Sequence, residues 1–388
     1  MVKNEIAIGM NGSMLDEHPT GVGVYSYNLI NQLSSLCWND KWQKLTVFSP
    51  TRQLLDTKVH VVKLPGLLLS SRYGKIAALM RFLWNTFYYP FQARQFDLLI
   101  SPTTHGSFLL NNQVITIHDL LSLRYNNISR HQRFYFKYLL PKLVSRAKLI
   151  VTVSETTKKD VIHFLNCPEE KVKVIYNGYD HTRYFFENNN SQAISKEYGV
   201  SNYLLAVGPT YPHKNFDRLI NAYNSLDASL KKDHPLVIAG GKKSYRSYLK
   251  ELVNKLGLQA NVHFLGYVPV DLMPSLYREA TALVFPSLYE GFGIPLLEAM
   301  ACGCPVIASG TSSIPEVCGD AAMYFDPSSE DQIAVSIQKV LGDKSLRSLL
   351  IANGLQQSSK FSWEKTAREL KSLIENNFIK PNNNQTYD

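Results

Sequence analysis

Two glutamates eight positions apart, Glu290 and Glu298, bracket the stretch YEGFGIPLLEAM. Gly291, Gly293 and Pro295 lie between them, and the apolar ALVF of residues 282–285 runs ahead of them. A short apolar run of that kind suits a buried strand. Two glycines let the backbone turn sharply and approach a ligand closely. Pro295 reads as the first residue of a helix, which puts Glu298 in its opening turn. A strand, a glycine turn and a helix start present unpaired N–H groups and a positive dipole end, both of which favour an anion. Carboxylates in that setting have two uses. They can satisfy the helix N-terminus, a contact of about 0.3–1 kcal/mol, or they can accept from a ligand rich in hydroxyls. Only the second use explains the glycines.

Other candidate residues also follow apolar runs. GPTYPHKN (208–215) supplies Gly208, His213 and Lys214. A lysine is a compact cation suited to diphosphate oxygens, although in isolation the octapeptide reads equally as a solvated loop. GGKKSY (240–245) adds a glycine turn with two lysines but lacks P-loop spacing. GYV (266–268) offers the backbone of Tyr267 and Val268 to a base, and SGTSSIPEV (309–317) ends the series. In the first half, TGVGVYSYNL places Gly21 and Gly23 before a helix. The full dinucleotide glycine spacing is missing, and no acidic residue follows about twenty positions on, which argues against an oxidoreductase and for close backbone approach to a ligand. VITIHDL ends a buried strand with His118 and Asp119. A histidine there is ordinarily structural; at the carboxyl end of a strand, facing a cleft, it gains a functional reading.

These positions need a scaffold, and the chain alternates strand-like runs with helical stretches throughout. In the first half the runs begin at Ile6, Leu45, Asp97, Val114, Leu149 and Val172. After the polar ENNNSQ (187–192) they restart at Tyr203, Leu236, Val262, Ala282 and Pro305. Such alternation predicts parallel sheets covered by helices, here two doubly wound α/β domains with a boundary near 180–200. A chain of 388 residues is long enough for both. The excess of 41 basic over 32 acidic side chains, a net +9, points to an anionic partner or surface. No nucleic-acid-binding module is recognisable, and none is expected as a partner. Five cysteines without a paired framework suit a reducing, cytoplasmic setting. Cys302 and Cys304 have no His or Cys cluster around them to make a metal site. No signal-peptide apolar segment opens the chain, no run reaches the ~18 apolar residues of a membrane span, and the asparagine-rich tail after Lys380 reads as disordered.

Taken with its surroundings, FPSLYEGFGIPLLEAMACGCPVIAS resembles the Glu-x7-Glu signature of the retaining glycosyltransferases of family 4. The resemblance extends in order through TGVGVYSYNL, VITIHDL, VTVSETTKKDV, VKVIYNGYD, AVGPTYPHKNFDRLINAY and FSWEKTAREL, from about Ile6 to Leu373. It implies the α/β GT-B fold, in which two Rossmann-like doubly wound domains face each other across a cleft. The acceptor-side domain would span 1–185, with a C-terminal helix at about 363–380 returning to it; the nucleotide-sugar domain would span 198–362. By the resemblance, Glu290 contacts hydroxyls of the donor sugar, and Glu298 holds the ribose hydroxyls. Lys214 neutralises the diphosphate. The amides near Phe292 and Gly293, with Gly291, Ile294 and Leu297, line the donor site together with Gly208, His213, Tyr267 and Val268. His118 lies by the donor sugar, and Gly21 and Gly23 approach the reaction centre.

Many relatives carry arginine where this chain has His213; Lys242, Lys243 or Arg218 are the available replacements. No Asp-x-Asp occurs, which fits a family needing no catalytic metal and no cofactor beyond the nucleotide-sugar substrate. No covalent nucleophile is evident, so front-face departure and attack with the diphosphate as base is expected; Asp119 or Glu290 as nucleophile stays open. A lysine and a helix N-terminus would stabilise the leaving diphosphate as charge develops.

The N-terminal loop and PHKNFDRL resemble mannosyltransferases of surface-polysaccharide assembly, implying transfer of mannose from GDP-mannose to a glycan or polyprenyl-diphosphate-linked acceptor. Enzymes using UDP-glucose or UDP-N-acetylglucosamine share the same motifs. A nucleotide-sugar 2-epimerase and a non-catalytic nucleotide-sugar binder are the other readings. Finally, residues 70–96 and 124–148 are rich in cations and aromatics and contain no acid. Either they are core aromatics beneath solvated cations, or they form amphipathic helices that lie on the anionic inner face of the cell membrane.

Overall fold

Strands buried on both faces call for near-continuous apolar runs, and the central runs of this chain meet that demand. In the computed structural model, Leu98–Ser101, Gln113–Ile117 and Leu149–Thr152 are buried throughout, as are Leu204–Val207, Leu236–Ala239, Ala282–Phe285 and Val306–Ser309. The structure describes residues 6–379 apart from 18, 20, 37–41, 126–127, 188–191 and 241–242. Lys242 and the tail beyond Ile379 therefore lie outside the described residues.

The chain forms two compact units. One comprises the residues up to Gly178 together with those from Trp363 onward; the other is Tyr179–Ser362. In the first unit the strands are β1 (Ile6–Asn11), β2 (Trp42–Ser49), β3 (His60–Lys63), β4 (Leu98–Ser101), β5 (Gln113–Ile117), β6 (Leu149–Thr152) and β7 (Val172–Val174). They lie in the order 3-2-1-4-5-6-7, and every pairing is parallel. The second unit contains β8 (Leu204–Val207), β9 (Leu236–Ala239), β10 (Val262–Gly266), β11 (Ala282–Phe285), β12 (Val306–Ser309) and β13 (Ala322–Phe325). Their order is 10-9-8-11-12-13, again all parallel. Both sheets reverse direction between two central strands, β1 and β4 in one and β8 and β11 in the other. In open α/β sheets that reversal opens the crevice at the carboxyl ends where ligands bind.

Two strands have no counterpart among the predicted runs. β3 is HVVK, half-exposed along its length, and β13 is AMYF, of which only Phe325 is fully buried. Both are edge strands, so neither needs the continuous apolar run that marks a central strand.

Helix Trp363–Phe378 belongs to the first unit. Trp363 meets Tyr25 edge to face at 5.8 Å, and Thr366 Oγ1 donates to the Tyr176 carbonyl at 2.7 Å. Both basic-aromatic stretches are helical and share one design. Each widens into a π-turn, Trp84–Tyr88 and Tyr135–Leu139, just ahead of Pro90 and Pro141. A proline has no N–H for the carbonyl one turn back, and the ladder opens there. No helix among the described residues is long and apolar enough to cross a membrane.

Candidate functional site

At the reversal point of the second sheet, the loops after β8 and β11 bring a lysine and a glutamate together. Lys214 Nζ lies 2.6 Å from Glu290 Oε1, with the two side chains only 10% and 14% exposed. Lys214 closes a short 3-10 turn, Pro212–Lys214; its ammonium lies 5.2 Å from the centre of the Phe285 ring at the end of β11. The next residue, Asn215, is buried in a left-handed conformation at φ +60°. Its Nδ2 donates to the carbonyls of Pro286 at 3.0 Å and Pro327 at 2.8 Å, so it ties the lysine loop to the start of the glutamate loop. Leu288 N donates to the His213 carbonyl at 2.8 Å and completes the tie.

The glutamate loop is held from its other side by the turn after β12. Glu290 N donates to Ser312 Oγ at 3.0 Å. Ser313 Oγ contacts the carbonyls of Glu290 at 3.0 Å and Phe292 at 2.8 Å. Gly293 caps the following helix at φ +114°, where a β-carbon would lie 2.8 Å from Leu296 Cδ1. Only glycine fits that turn. The helix runs Ile294–Ala301, so it opens at Ile294, one residue before Pro295. Glu298 consequently sits in the second turn, not the first as the sequence suggested, and no acid occupies the first turn. Neither glutamate serves the helix N-terminus: Glu290 meets the lysine, and Glu298 accepts from Tyr277 Oη at 2.9 Å. Burial pushes the Glu298 carboxyl up to about 7, while Tyr277, Tyr184 and the charge of Arg183 oppose that rise.

Three strand ends beside this cluster are glycines. A β-carbon on Gly240, at φ +95°, would come within 2.7 Å of the Gly208 carbonyl oxygen, so β8 and β9 can end this close together only with glycine there. The Lys214 side chain runs past Gly208, and the Arg246 guanidinium lies over Gly266. Arg246 is thus a cation at the strand ends that the sequence did not single out. His213 is 8% exposed, and burial pulls its pKa down to about 4, against the nearby charge of Glu290. It is neutral near pH 7 and supplies no second cation. Of the suggested replacements, Arg218 Nη1 donates to Asn215 Oδ1 at 2.8 Å and braces the loop, and Lys243 opens helix Lys243–Lys255. Tyr267 is exposed at the end of β10, whereas Val268 is buried; Ile294 is half-buried and Leu297 fully buried.

The corresponding edge of the first sheet carries histidines held neutral by burial, together with amides, Asp119 and the buried Arg81. His118 follows β5; its Nε2 lies 2.9 Å from the Pro102 carbonyl, which can only accept. Burial holds the His118 pKa down at about 4. The ring is therefore neutral, with the proton on Nε2 and a bare Nδ1. Tyr25 meets it edge to face at 4.6 Å, and Thr157 Oγ1 donates to the His118 carbonyl at 3.1 Å. Asp119 Oδ1 accepts from Leu121 N at 3.0 Å, shaping the next turn. At the end of β1, Asn11 Nδ2 donates to Asn85 Oδ1 at 2.5 Å and to the His105 carbonyl at 2.8 Å. Gly21 precedes helix Val22–Leu36 at φ +34°, and Gly23 is the second residue inside it.

The structure thus gathers Gly208, His213, Lys214, Glu290, Gly291, Phe292, Gly293 and Glu298 around one switch point, and places His118, Asp119, Gly21 and Gly23 in the other unit. Sequence reasoning missed Tyr277, Tyr184, Asn215, Ser312 and Ser313. Of these, Asn215 and the two serines stood in segments marked as strand ends.

Comparison with known proteins gives the family and the fold. Residues 19–183 match the family model described as Glycosyltransferase Family 4, and residues 187–357 match Glycosyl transferases group 1. The chain is 33% identical over 258 residues to O-antigen chain mannosyltransferase B of Escherichia coli, covering 66% of this chain and 68% of that one. It is 32% identical over 346 residues to O-antigen chain mannosyltransferase RfbU of Salmonella typhimurium, covering 85% and 90%. Among solved structures, Anabaena Alr3699/HepE in complex with UDP-glucose superposes with a TM-score of 0.74 at 18% identity, covering 96% of this chain and all of the other. WaaG, a glycosyltransferase involved in lipopolysaccharide biosynthesis, gives 0.69 at 18% identity, covering 95% and 99%. At these identities the superpositions speak to the fold.

Proposed function

This chain belongs to glycosyltransferase family 4, and with that as premise we propose that it moves mannose from GDP-mannose, with retention of configuration, onto a lipid-linked glycan during surface-polysaccharide assembly. The observation that carries the reading is the buried Lys214–Glu290 pair at the reversal between β8 and β11, beside Glu298. A diphosphate sugar is a ligand that needs all three groups. The diphosphate takes Lys214 and the positive end of helix Ile294–Ala301; this releases Glu290 to accept from sugar hydroxyls, while Glu298 accepts from the ribose. Charge that develops on the departing diphosphate is met by a cation already in place, so no metal is called for. A neutral His118 with a bare Nδ1 suits acceptance from a sugar hydroxyl rather than repulsion of a developing oxocarbenium centre. Asp119 accepts from the backbone, which favours front-face transfer over a covalent step. Mannose is favoured because the relatives of known name, at 32–33% identity, are O-antigen mannosyltransferases.

Transfer assays across GDP-mannose, UDP-glucose and UDP-N-acetylglucosamine test the donor. Turnover with GDP-mannose alone is expected, and turnover only with a UDP-sugar overturns the mannose reading.

The acceptor side of the reading is a membrane surface. Helical stretches 70–93 and 130–146 follow β3 and β5 and cross the sheet in the same direction, which puts both on one face under right-handed connection. Ile76, Phe87, Phe91 and Phe134 are 58–63% exposed, so these are not core aromatics. Arg72, Arg94, Arg130 and Lys137 stand among them, with Arg94 over Phe91 and Lys137 over Tyr138. Exposed aromatics among cations, with no acid inside either stretch and Glu17 from outside paired to Arg72 at 2.9 Å, suit an anionic lipid surface at the inner face of the cell membrane. Co-sedimentation with phosphatidylglycerol vesicles at low salt is expected to pull the protein down, less so for Phe87→Ser/Phe91→Ser; no sedimentation of the wild type contradicts it.

A further inference from the structure

Glu298 has more hydrogen-bond support than a simple ribose acceptor requires. Tyr277 Oη donates to its Oε2 at 2.9 Å, and Tyr184 lies beside the same carboxyl group and helps hold its pKa down. Both tyrosines are buried, and their rings meet edge to face at 6.0 Å. Tyr277 comes from helix Met273–Arg278, which packs on the Glu298 helix, and Tyr184 from the turn that follows Asp180. Two chain segments far apart in sequence therefore converge on one carboxylate. A carboxylate has about four lone-pair positions, so with one taken by Tyr277 there is room for two further donors, the number a vicinal diol offers.

We propose that Tyr277 and Tyr184 are positioning residues: they turn and hold the Glu298 carboxylate so that its remaining lone pairs take both ribose hydroxyls, making the site selective for ribonucleotides over their deoxy forms. The inference rests on the reading of Glu298 as the ribose acceptor given above. The phenols also favour the ionised carboxylate, with Arg183 helping and Asp180 opposing. Without them the carboxyl would be both protonated and free to rotate.

The test uses full-length protein and compares affinities for GDP and 2′,3′-dideoxy-GDP, with UDP and its dideoxy form in parallel, across pH. Wild type should prefer the ribonucleotide by about 10- to 100-fold, the worth of a charge-assisted hydrogen bond or two. Its affinity should tighten as pH rises through about 7, where Glu298 ionises. In Tyr277→Phe the preference should fall at least about fivefold, with dideoxy affinity unchanged and the pH midpoint moved upward; Tyr184→Phe should do the same more weakly. Equal weakening of both ligands in Tyr277→Phe would mark a purely structural tyrosine and overturn the proposal, as would an undiminished preference. If Glu298→Gln keeps the wild-type preference, the ribose role itself falls, a result distinguishable from failure of the tyrosines alone.

Discussion

At the carboxyl ends of β8 and β11 the protein holds a lysine–glutamate ion pair; at the matching ends of β1 and β4 it holds amides and carbonyls beside the buried Arg81, with neutral His118 beyond them after β5. Both sheets have the same strand order up to the seventh strand of the first, so topology does not decide which edge carries the ion pair. The side chains placed at the reversal do. A buried ion pair is expensive to desolvate and contributes little stability over an apolar pair. Its place on the loops after β8 and β11, at the reversal of the second sheet, marks where a charged ligand is to be received. The amides and neutral histidines suit the uncharged sugar and hydroxyl chemistry proposed for the first unit.

The largest effect should come from breaking the pair on one side. Lys214→Met should cut transfer about 10²–10³-fold through lost leaving-group stabilisation. It should also cost about 3–5 kcal/mol in denaturant unfolding by stranding Glu290. Adding Glu290→Gln should recover much of that stability and none of the transfer. Equal stability of the single and double variants would deny that the pair is energetically coupled.

Next comes the edge of the first sheet. Asn11→Ala strips donors from Asn85 and His105 and should cost about 1–3 kcal/mol. Nucleotide affinity, measured by calorimetry, should stay as in the wild type. A weakened nucleotide would mean that the two edges are not separate in function.

The pH dependences of the two edges should run in opposite directions. His118 and His105, both held down at about 4 by burial, favour the fold while neutral, so their contribution is complete above about 6.5 and is lost as pH falls toward 4. Glu298, held up at about 7, favours the fold while protonated, so its contribution is lost as pH rises from about 4.5 to 7. Glu298→Gln should therefore gain melting temperature relative to wild type as pH rises across that window. A constant difference would contradict the assigned burial. The smallest expected effect is Ser313→Ala, at about 1 kcal/mol, with a raised KM for the donor from a looser glutamate loop.

What the sequence made legible follows the same contrast. Central strands announced themselves because burial on both faces forces runs such as LLIS and ALVF; the edge strands HVVK and AMYF escaped because one side meets solvent. Lys214, Glu290 and Glu298 were readable because their spacing falls around glycine turns at strand ends. Tyr277 was not, because a tyrosine inside an apolar helix looks like core until its hydroxyl is seen to reach Glu298. Asn215 stood inside the marked GPTYPHKN, but its part in tying two loops lies in two distant carbonyls, which no local pattern encodes. The replacement for the family arginine was sought in Lys242, Lys243 and Arg218, whereas the cation found over the strand-end glycine is Arg246. It lies four residues inside a helix, where periodicity suggests only a solvated face.

A crystal structure of the protein with GDP-mannose would address the central claim most directly. The account predicts diphosphate oxygens within hydrogen-bond reach of Lys214 Nζ, ribose hydroxyls on Glu298, and Glu290 turned from the lysine to the sugar. A ligand bound elsewhere, with the Lys214–Glu290 pair still closed at 2.6 Å, would contradict it.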